Sequence, residues 1–253
     1  MTENLSKWTG TPLAPLLREA GISDDAVEVL FVGIDRGRQG EIQQRYERAL
    51  PVSEALRDEA LLAYELNGVP LPPQHGFPLR LIVPGWYGMA HVKWLERITV
   101  LEEPFWGYQQ NVFYRVAQNE DDPGVQLTRM YPRSLTIPPG IPVFETRERL
   151  VPPGEMMLGG RAWSGWGPIV RVEVSIDGGA SWHDAALESP VSEHAWLTWS
   201  APWEASEGRH EILSRATDGA GNSQPLQSTW NLKGVANNAV QRVTVHVRRD
   251  VTV

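Results

Sequence analysis

The sequence predicts an α+β front half followed by a β-sandwich. Three observations predict it. Helix and strand signals are mixed up to about residue 120, strict apolar/polar alternation takes over further on, and prolines crowd the stretch between. With 23 Gly and 20 Pro in 253 residues, loops and short strands should outweigh long helices.

In the front half, Thr11-Pro12 followed by Leu13, Leu16 and Leu17, with Gly21 after Ala20, predicts a short capped helix. Val27 to Val32 is a buried strand ending at Gly33-Ile34-Asp35. Ser53-Glu54 opens another short helix before Leu61 to Leu66, and Asn67-Gly68 is a tight turn. Leu79 to Val83 is a buried strand stopped by Pro84-Gly85, and Arg97 to Leu101 is one more strand.

From about Leu127, Pro132, Pro138-Pro139, Pro142 and Pro152-Pro153 mark a lead-in that no helix crosses. Val170, Val172, Val174 and Ile176 then alternate with Arg171, Glu173 and Ser175 before Asp177-Gly178-Gly179. That is a half-buried strand entering a hairpin turn. His194 to Trp199, Glu211 to Thr217 and Val243 to Val247 repeat the pattern, with turn signals at Asp218-Gly219 and Gly221-Asn222. Short strands at such spacing predict a sandwich. The boundary is expected around Asp121-Asp122-Pro123-Gly124, giving domains of 1–120 and 121–253.

Composition excludes several function classes. A net charge of −8 argues against general nucleic-acid binding, which needs excess Lys and Arg. The chain has no cysteine, so disulfides, thiol redox chemistry and thiolate metal sites within it are excluded. No apolar run reaches 18 residues, and Met1 to Gly10 lacks the pattern of a secretory signal. The chain is therefore expected to be soluble, with no membrane or nucleic-acid partner. Its compartment is not set by these residues. Most of the eleven Trp are expected to be buried with the indole N–H satisfied.

The window from Leu66 to Leu95 contains no Asp or Glu, where the chain's average would supply about four. It does contain Arg80, Lys93, His75 and His91. A window without carboxylates in an acidic protein suits an anion, and Gly76, Gly85 and Gly88 let backbone N–H groups approach one. A buried apolar segment would also exclude carboxylates, so composition leaves both readings open.

The residues themselves are more specific. His75-Gly-Phe-Pro-Leu-Arg80, Val83-Pro-Gly85 and His91-Val-Lys-Trp-Leu95, preceded by Leu61-Leu-Ala-Tyr-Glu-Leu-Asn-Gly68, resemble the sulfite oxidase family. Downstream, Arg161-Ala-Trp-Ser-Gly165, Val174-Ser-Ile-Asp-Gly-Gly179 with Trp182, and Trp230-Asn-Leu-Lys-Gly234 resemble that family's C-terminal dimerisation domain. The resemblance runs from about Trp8 to Val247, with separate motifs in one order.

The resemblance implies the rear part of a molybdopterin-binding domain followed by an immunoglobulin-like sandwich that pairs two subunits. It implies oxygen-atom transfer to sulfite or a similar small anion at molybdenum. The sequence carries no haem, flavin or iron–sulfur signature, so the electron acceptor is expected to be a separate partner. Bacterial members are often periplasmic. By position, Asp35, His75, Arg80, His91 and Lys93 form the set that contacts the pterin. Tyr114 matches the tyrosine facing the metal's oxo ligand and the substrate. Read by themselves, His75 could serve a loop carbonyl, Arg80 and Lys93 could lie at the rim of a core, and Tyr114 could be aromatic packing. His246, alternating with Val245 and Val247, is expected to face solvent; His183, His194 and His210 show no metal-ligand spacing.

Two departures stand out. Lys233 occupies a position where animal sulfite oxidases carry an arginine that helps bind the substrate anion; lysine keeps the charge and loses the planar fork. The family's molybdenum-ligating cysteine lies on a segment before the residues matching Trp8 to Leu17, and this sequence contains no such residue. The expectation is therefore an incomplete chain, inactive by itself. A degenerate homologue serving as a dimerisation or binding module is the alternative, and a reductase like the plant nitrate reductases is a further one.

Overall fold

The computed structural model of the protein describes residues 5–251. The outermost residues of the two expected domains, and the first four of the segment read for an export signal, lie outside it. The architecture is mostly β. It divides into two compact units, one of residues 1–128 with Trp230–Val235, the other of Arg129–Thr229 with Ala236–Val253.

In the first unit, β1 (Trp8–Pro12) leads into helix α1 (Leu13–Glu19), then the long strands β2 (Glu28–Gln39) and β3 (Ile42–Pro51). Helix α2 (Val52–Ala55), β4 (Leu61–Leu66), β5 (Val69–Pro70), β6 (Arg80–Ile82) and β7 (Leu95–Leu101) follow. Two short strands, β8 (Arg115–Val116) and β9 (Val125–Gln126), pair with each other. One sheet runs β3-β2-β7; another runs β1-β4-β5, with β6 also on β4. Leu13 and Leu17 of α1 join Val29, Phe31, Leu50, Leu62, Leu81, Trp86 and Val92 in one core.

Helix is scarcer than an α+β half suggests: α1 has seven residues and α2 four. The predicted strand at Val27 does not end at Gly33 but continues to Gln39 after its pairing slips between Val32 and Arg36. A side chain at 33 could not fit there, because a Cβ would lie 2.4 Å from Asp35 Oδ1 and 2.8 Å from the Lys93 carbonyl oxygen. The Asn67-Gly68 turn is present, with φ of 54° and 81°. Two positive φ values make it the turn whose twist matches the flanking strands.

The second unit contains β10 (Arg133–Thr136), β11 (Ile141–Pro142), β12 (Arg149–Val151) and β13 (Gly154–Trp163). Then come β14 (Ile169–Ser175), β15 (His183–Asp184), β16 (Ala186–Leu187), β17 (Leu197–Ala205), β18 (Gly208–Asp218) and β19 (Arg242–Val247). Four strands run β10-β13-β17-β16 and six run β11-β12-β19-β18-β14-β15. The inward residues of both sheets bury one common core, with Leu158, Trp199 and Trp203 from the first sheet and Val172, Val174, Ile212 and Val245 from the second. The proline-rich lead-in is thus partly strand, in β10 to β12.

A polar knot sits inside this unit. Ser134 Oγ donates to Ser214 Oγ at 2.8 Å, and Thr136 Oγ1 to the same oxygen at 3.1 Å. Gln224, itself buried, accepts from the Ser134 N–H at 2.7 Å. These bonds tie β10 to β18 across the core. The expectation for tryptophan needs correction. Only Trp86, Trp199 and Trp203 are fully buried, and the indole nitrogens of Trp199 and Trp203 have no partner among the described residues. Trp106, Trp166 and Trp230 sit exposed outside the strands. His246 is half-buried rather than solvent-facing, with Nε2 3.1 Å from Glu148 Oε2, because β12 pairs alongside β19.

Candidate active site

The window without carboxylates folds into a knot of loops in the first unit. His75 ends a single helical turn at Pro73–His75, and Gly76 follows with φ of 104°. A Cβ at Gly76 would lie 3.0 Å from Lys93 Cβ and 3.2 Å from Arg80 Cβ, so the chain crosses these two side chains closely. Arg80 Nη1 donates to the His75 carbonyl at 3.0 Å and Nη2 to the His91 carbonyl at 3.4 Å. Lys93 Nζ donates to the Gln74 carbonyl at 3.2 Å, and the Trp94 indole to that of Pro73 at 2.7 Å. Arg80 therefore holds two distant loop segments together, while its Nε is buried with no partner and its guanidinium lies 4.8 Å from the ring centre of Trp8.

Burial sets the electrostatics here. It lowers the Arg80 guanidinium below its usual value and pulls His91 down to about 4, the nearby Arg80 charge adding to the effect. His91 Nε2 is 3.4 Å from the Trp86 carbonyl, which opposes that shift. At neutral pH His91 is thus an uncharged imidazole, and with Nε2–H donating to the Trp86 carbonyl its Nδ1 is left as an acceptor. The His75 side chain is exposed.

Asp35 on β2 joins this knot to a second feature. Ile34 N–H donates to the Trp94 carbonyl at 3.0 Å, placing Asp35 beside the Lys93 loop. Burial raises the Asp35 carboxyl, against the charges of Lys93 and Arg48, and its Oδ1 is buried with no partner. Asp35 also lines a cavity of about 360 Å³ together with Arg36, Arg38, Arg45, Tyr46, Arg48, Gln109 and Tyr114. Tyr114 follows a helical turn at Gln109–Phe113, and its carbonyl accepts from Leu127 N–H at 3.0 Å.

Arg48 was not among the residues singled out from the sequence. It is 2% exposed, 4.5 Å from the ring centre of Tyr46 and 5.6 Å from that of Tyr114. Its Nη1 donates to the Glu47 carbonyl at 2.5 Å, while Nε and Nη2 are buried without a partner. Burial lowers this guanidinium and raises the Tyr46 phenol, whose O–H donates to the Met89 carbonyl at 2.8 Å. Alternation along β3 was the available signal: Gln44, Tyr46 and Arg48 share one face and reach the same cavity.

Lys233 is exposed and is not among the residues lining that cavity. Its segment, Trp230–Val235, nevertheless belongs to the first unit. Leu232 N–H donates to the Ala117 carbonyl at 2.8 Å, and the buried Asn231 closes the loop through bonds to both backbone groups of Val235. Among the described residues, no group of three or more His, Asp or Glu is arranged to hold a metal ion.

The unpartnered nitrogens of Arg80 and Arg48 and the unpartnered Asp35 oxygen are groups that a polar anionic cofactor can satisfy. The donor set suits molybdopterin, whose phosphate takes cations and whose pterin edge takes hydrogen bonds. It offers no thiolate, since the chain contains no cysteine.

Comparison with known proteins agrees with this chemistry. Residues 4–109 match the oxidoreductase molybdopterin binding domain and residues 143–248 the Mo-co oxidoreductase dimerisation domain. Mouse mitochondrial sulfite oxidase is 36% identical over 96% of this chain, which spans 46% of that protein. Sulfite oxidase of Arabidopsis thaliana is 34% identical over 95% of this chain and is 67% covered by it. The structure of sulfane dehydrogenase SoxCD from Paracoccus pantotrophus superposes with a TM-score of 0.80 at 26% identity, over 96% of this chain and 62% of that one. The chain thus spans about half the length of the mammalian relatives it matches. Two domain models in one order, together with relatives matched across nearly the whole chain, place this protein in the sulfite oxidase family of molybdopterin-dependent oxidoreductases.

Proposed function

We propose that this chain forms the rear of a molybdenum-cofactor site and half of a homodimer, in an enzyme transferring oxygen to sulfite or a similar small anion. Arg80, His75, His91 and Lys93 hold the pterin and its phosphate, and Asp35 accepts a hydrogen bond from it. The observation that carries this is Arg80, which pins both histidine loops by their carbonyls and keeps one buried N–H in reserve. When bound, the cofactor supplies two-electron oxygen-atom transfer at its metal. The chain's own part is positional. Neutral His91 offers an acceptor nitrogen without adding charge, Lys93 and Arg80 neutralise the anionic cofactor, and Tyr114 offers a phenolic donor to a developing oxyanion. Lys233 adds an exposed cation in the same unit. Electrons leave to a separate acceptor, and the second unit, an immunoglobulin-like sandwich, pairs two copies.

Molybdenum content of the chain, purified from a host that makes the cofactor, tests the reading. Near-stoichiometric metal that falls several-fold in Arg80→Ala supports it. The thiolate must come from outside these residues, so sulfite oxidation is expected only where a cysteine-bearing segment is supplied. Absence of metal even then would leave the dimerisation module as this chain's role.

A further inference from the structure

We propose that Arg48 is the residue that selects an oxyanion in the cavity beside Tyr114. This deepens the preceding reading by naming a binding group in the same site, and it rests on that reading only for the reaction that follows binding.

Arg48 carries a buried charge with no ion pair of its own among the described residues. A buried guanidinium normally sits against a carboxylate, because desolvating it alone is costly. Among the described residues, Nε and Nη2 of Arg48 lack a partner at hydrogen-bond geometry; the Tyr46 phenol and the Asp35 charge act on the guanidinium more weakly. Those two, Nε and Nη2, are neighbours on one edge of the guanidinium, the edge that grips two oxygens of an oxyanion side by side. Tyr46 and Tyr114 stack near the group and line the same cavity, so their rings screen it from water and fix its plane. The edge is buried, so an oxyanion reaches it only if the surrounding side chains move aside, and the charge attracts it through a medium of low dielectric.

The rest of the cavity agrees. Arg36, Arg38 and Arg45 line it with Arg48, against the single carboxylate of Asp35. Arg38 and Arg45 are already paired, at the exposed side, with Glu41 and Glu96. Arg48 is the deep cation with bonding capacity in reserve. Gln109 Nε2 is occupied by Gln39 and Gln44 at 2.9 Å each, which keeps the rim polar and unobstructed by apolar groups. A doubly charged tetrahedral or pyramidal oxyanion fits this arrangement better than a neutral oxo-acceptor.

The test is sulfate binding to the full chain without cofactor, by titration calorimetry in low-chloride buffer, together with thermal unfolding with and without sulfate. Wild type is expected to bind one sulfate and to unfold at higher temperature in its presence. Arg48→Met is expected to weaken binding at least tenfold while unfolding no lower than wild type without sulfate, since it removes a buried charge that forms no ion pair. Arg48→Lys should recover binding only in part, and Arg36→Ala should change it less than threefold. Sulfate affinity unchanged in Arg48→Met, or absent from folded wild type, overturns the inference. Molybdenum content is measured separately. Arg48-dependent sulfate binding, with no metal taken up even when a cysteine-bearing segment is supplied, leaves this inference standing and removes the cofactor reading; metal uptake without Arg48-dependent sulfate binding does the opposite.

Discussion

Arg215 grips Glu173 with both prongs of its guanidinium: Nε donates to Oε2 at 2.7 Å and Nη2 to Oε1 at 3.0 Å. The two residues face each other on β14 and β18, and Glu173 is 6% exposed. The Arg215 guanidinium also lies 4.3 Å from the ring centre of Trp182. Removing it as Arg215→Ala is expected to destabilise the second unit by about 1–3 kcal/mol, a buried carboxylate losing one of its partners. The loss is limited because Arg171 Nη2 stays 3.1 Å from the same carboxylate. Arg215→Lys keeps the charge and loses the fork, so it should recover only part of the loss. Urea unfolding followed by tryptophan fluorescence measures both variants, and wild-type stability in Arg215→Lys would show that the fork adds nothing.

Trp199 lies against the bare backbone of Gly160. A Cβ at Gly160 would sit 2.3 Å from the indole and 2.2 Å from the Leu135 carbonyl oxygen. Gly160→Ala is therefore expected to cost about 1–3 kcal/mol by overpacking. Trp199→Ala should cost about 3–5 kcal/mol by leaving a cavity. If the alanine at 160 unfolds at the wild-type temperature, the sheet has more room at β13 than these distances allow.

His91 makes stability depend on pH. Its value falls from 6.5 in a free chain to about 4 in the fold, so the unfolded state binds more protons between these limits. Its contribution, at most about 3 kcal/mol, is complete above pH 6.5 and is lost as pH falls through 4. NMR titration of the histidine ring protons should show one imidazole still neutral at pH 5. His91→Asn should flatten the acid side of the stability profile, and an unchanged profile would place the sensitivity elsewhere.

The second unit should outlast the first under protease. Its two sheets share a dense core and the buried Ser134, Thr136, Ser214 and Gln224 network. Limited proteolysis is expected to leave a resistant fragment beginning near Arg129. Light scattering should find wild-type protein as a dimer. Uniform resistance of the whole chain, or a monomer at micromolar concentration, counts against this division of roles.

Part of the second unit was legible because alternation survives in β19, where Val243, Val245 and Val247 mark the buried face. β14 breaks the expected alternation: Val170 is exposed while Glu173 and Ser175 are buried, Glu173 being held by Arg215 and Ser175 by Asp177. β13 was not legible, since Gly159 and Gly160 occupy it and its exposed face carries Met157. In the first unit, the segment without carboxylates identified the residues that now meet around Arg80. β3 hid itself. Its sequence, Ile42 to Pro51, is polar at most positions, and burial of Arg48 contradicts every composition rule. Only its pairing with β2 turns that arginine inward, and pairing is a long-range property that a local reading does not contain.

Because Trp230–Val235 belongs with residues 1–128, the second unit is a sequence interrupted by six residues of the first. No single crossover point in a gene can then separate the two units cleanly. A recombination that transplants the rear module carries a patch of its neighbour with it, and one that deletes the module strips Leu232 from the Ala117 carbonyl. Lys233 then travels with whichever gene segment supplies the rear, although its loop belongs to the front.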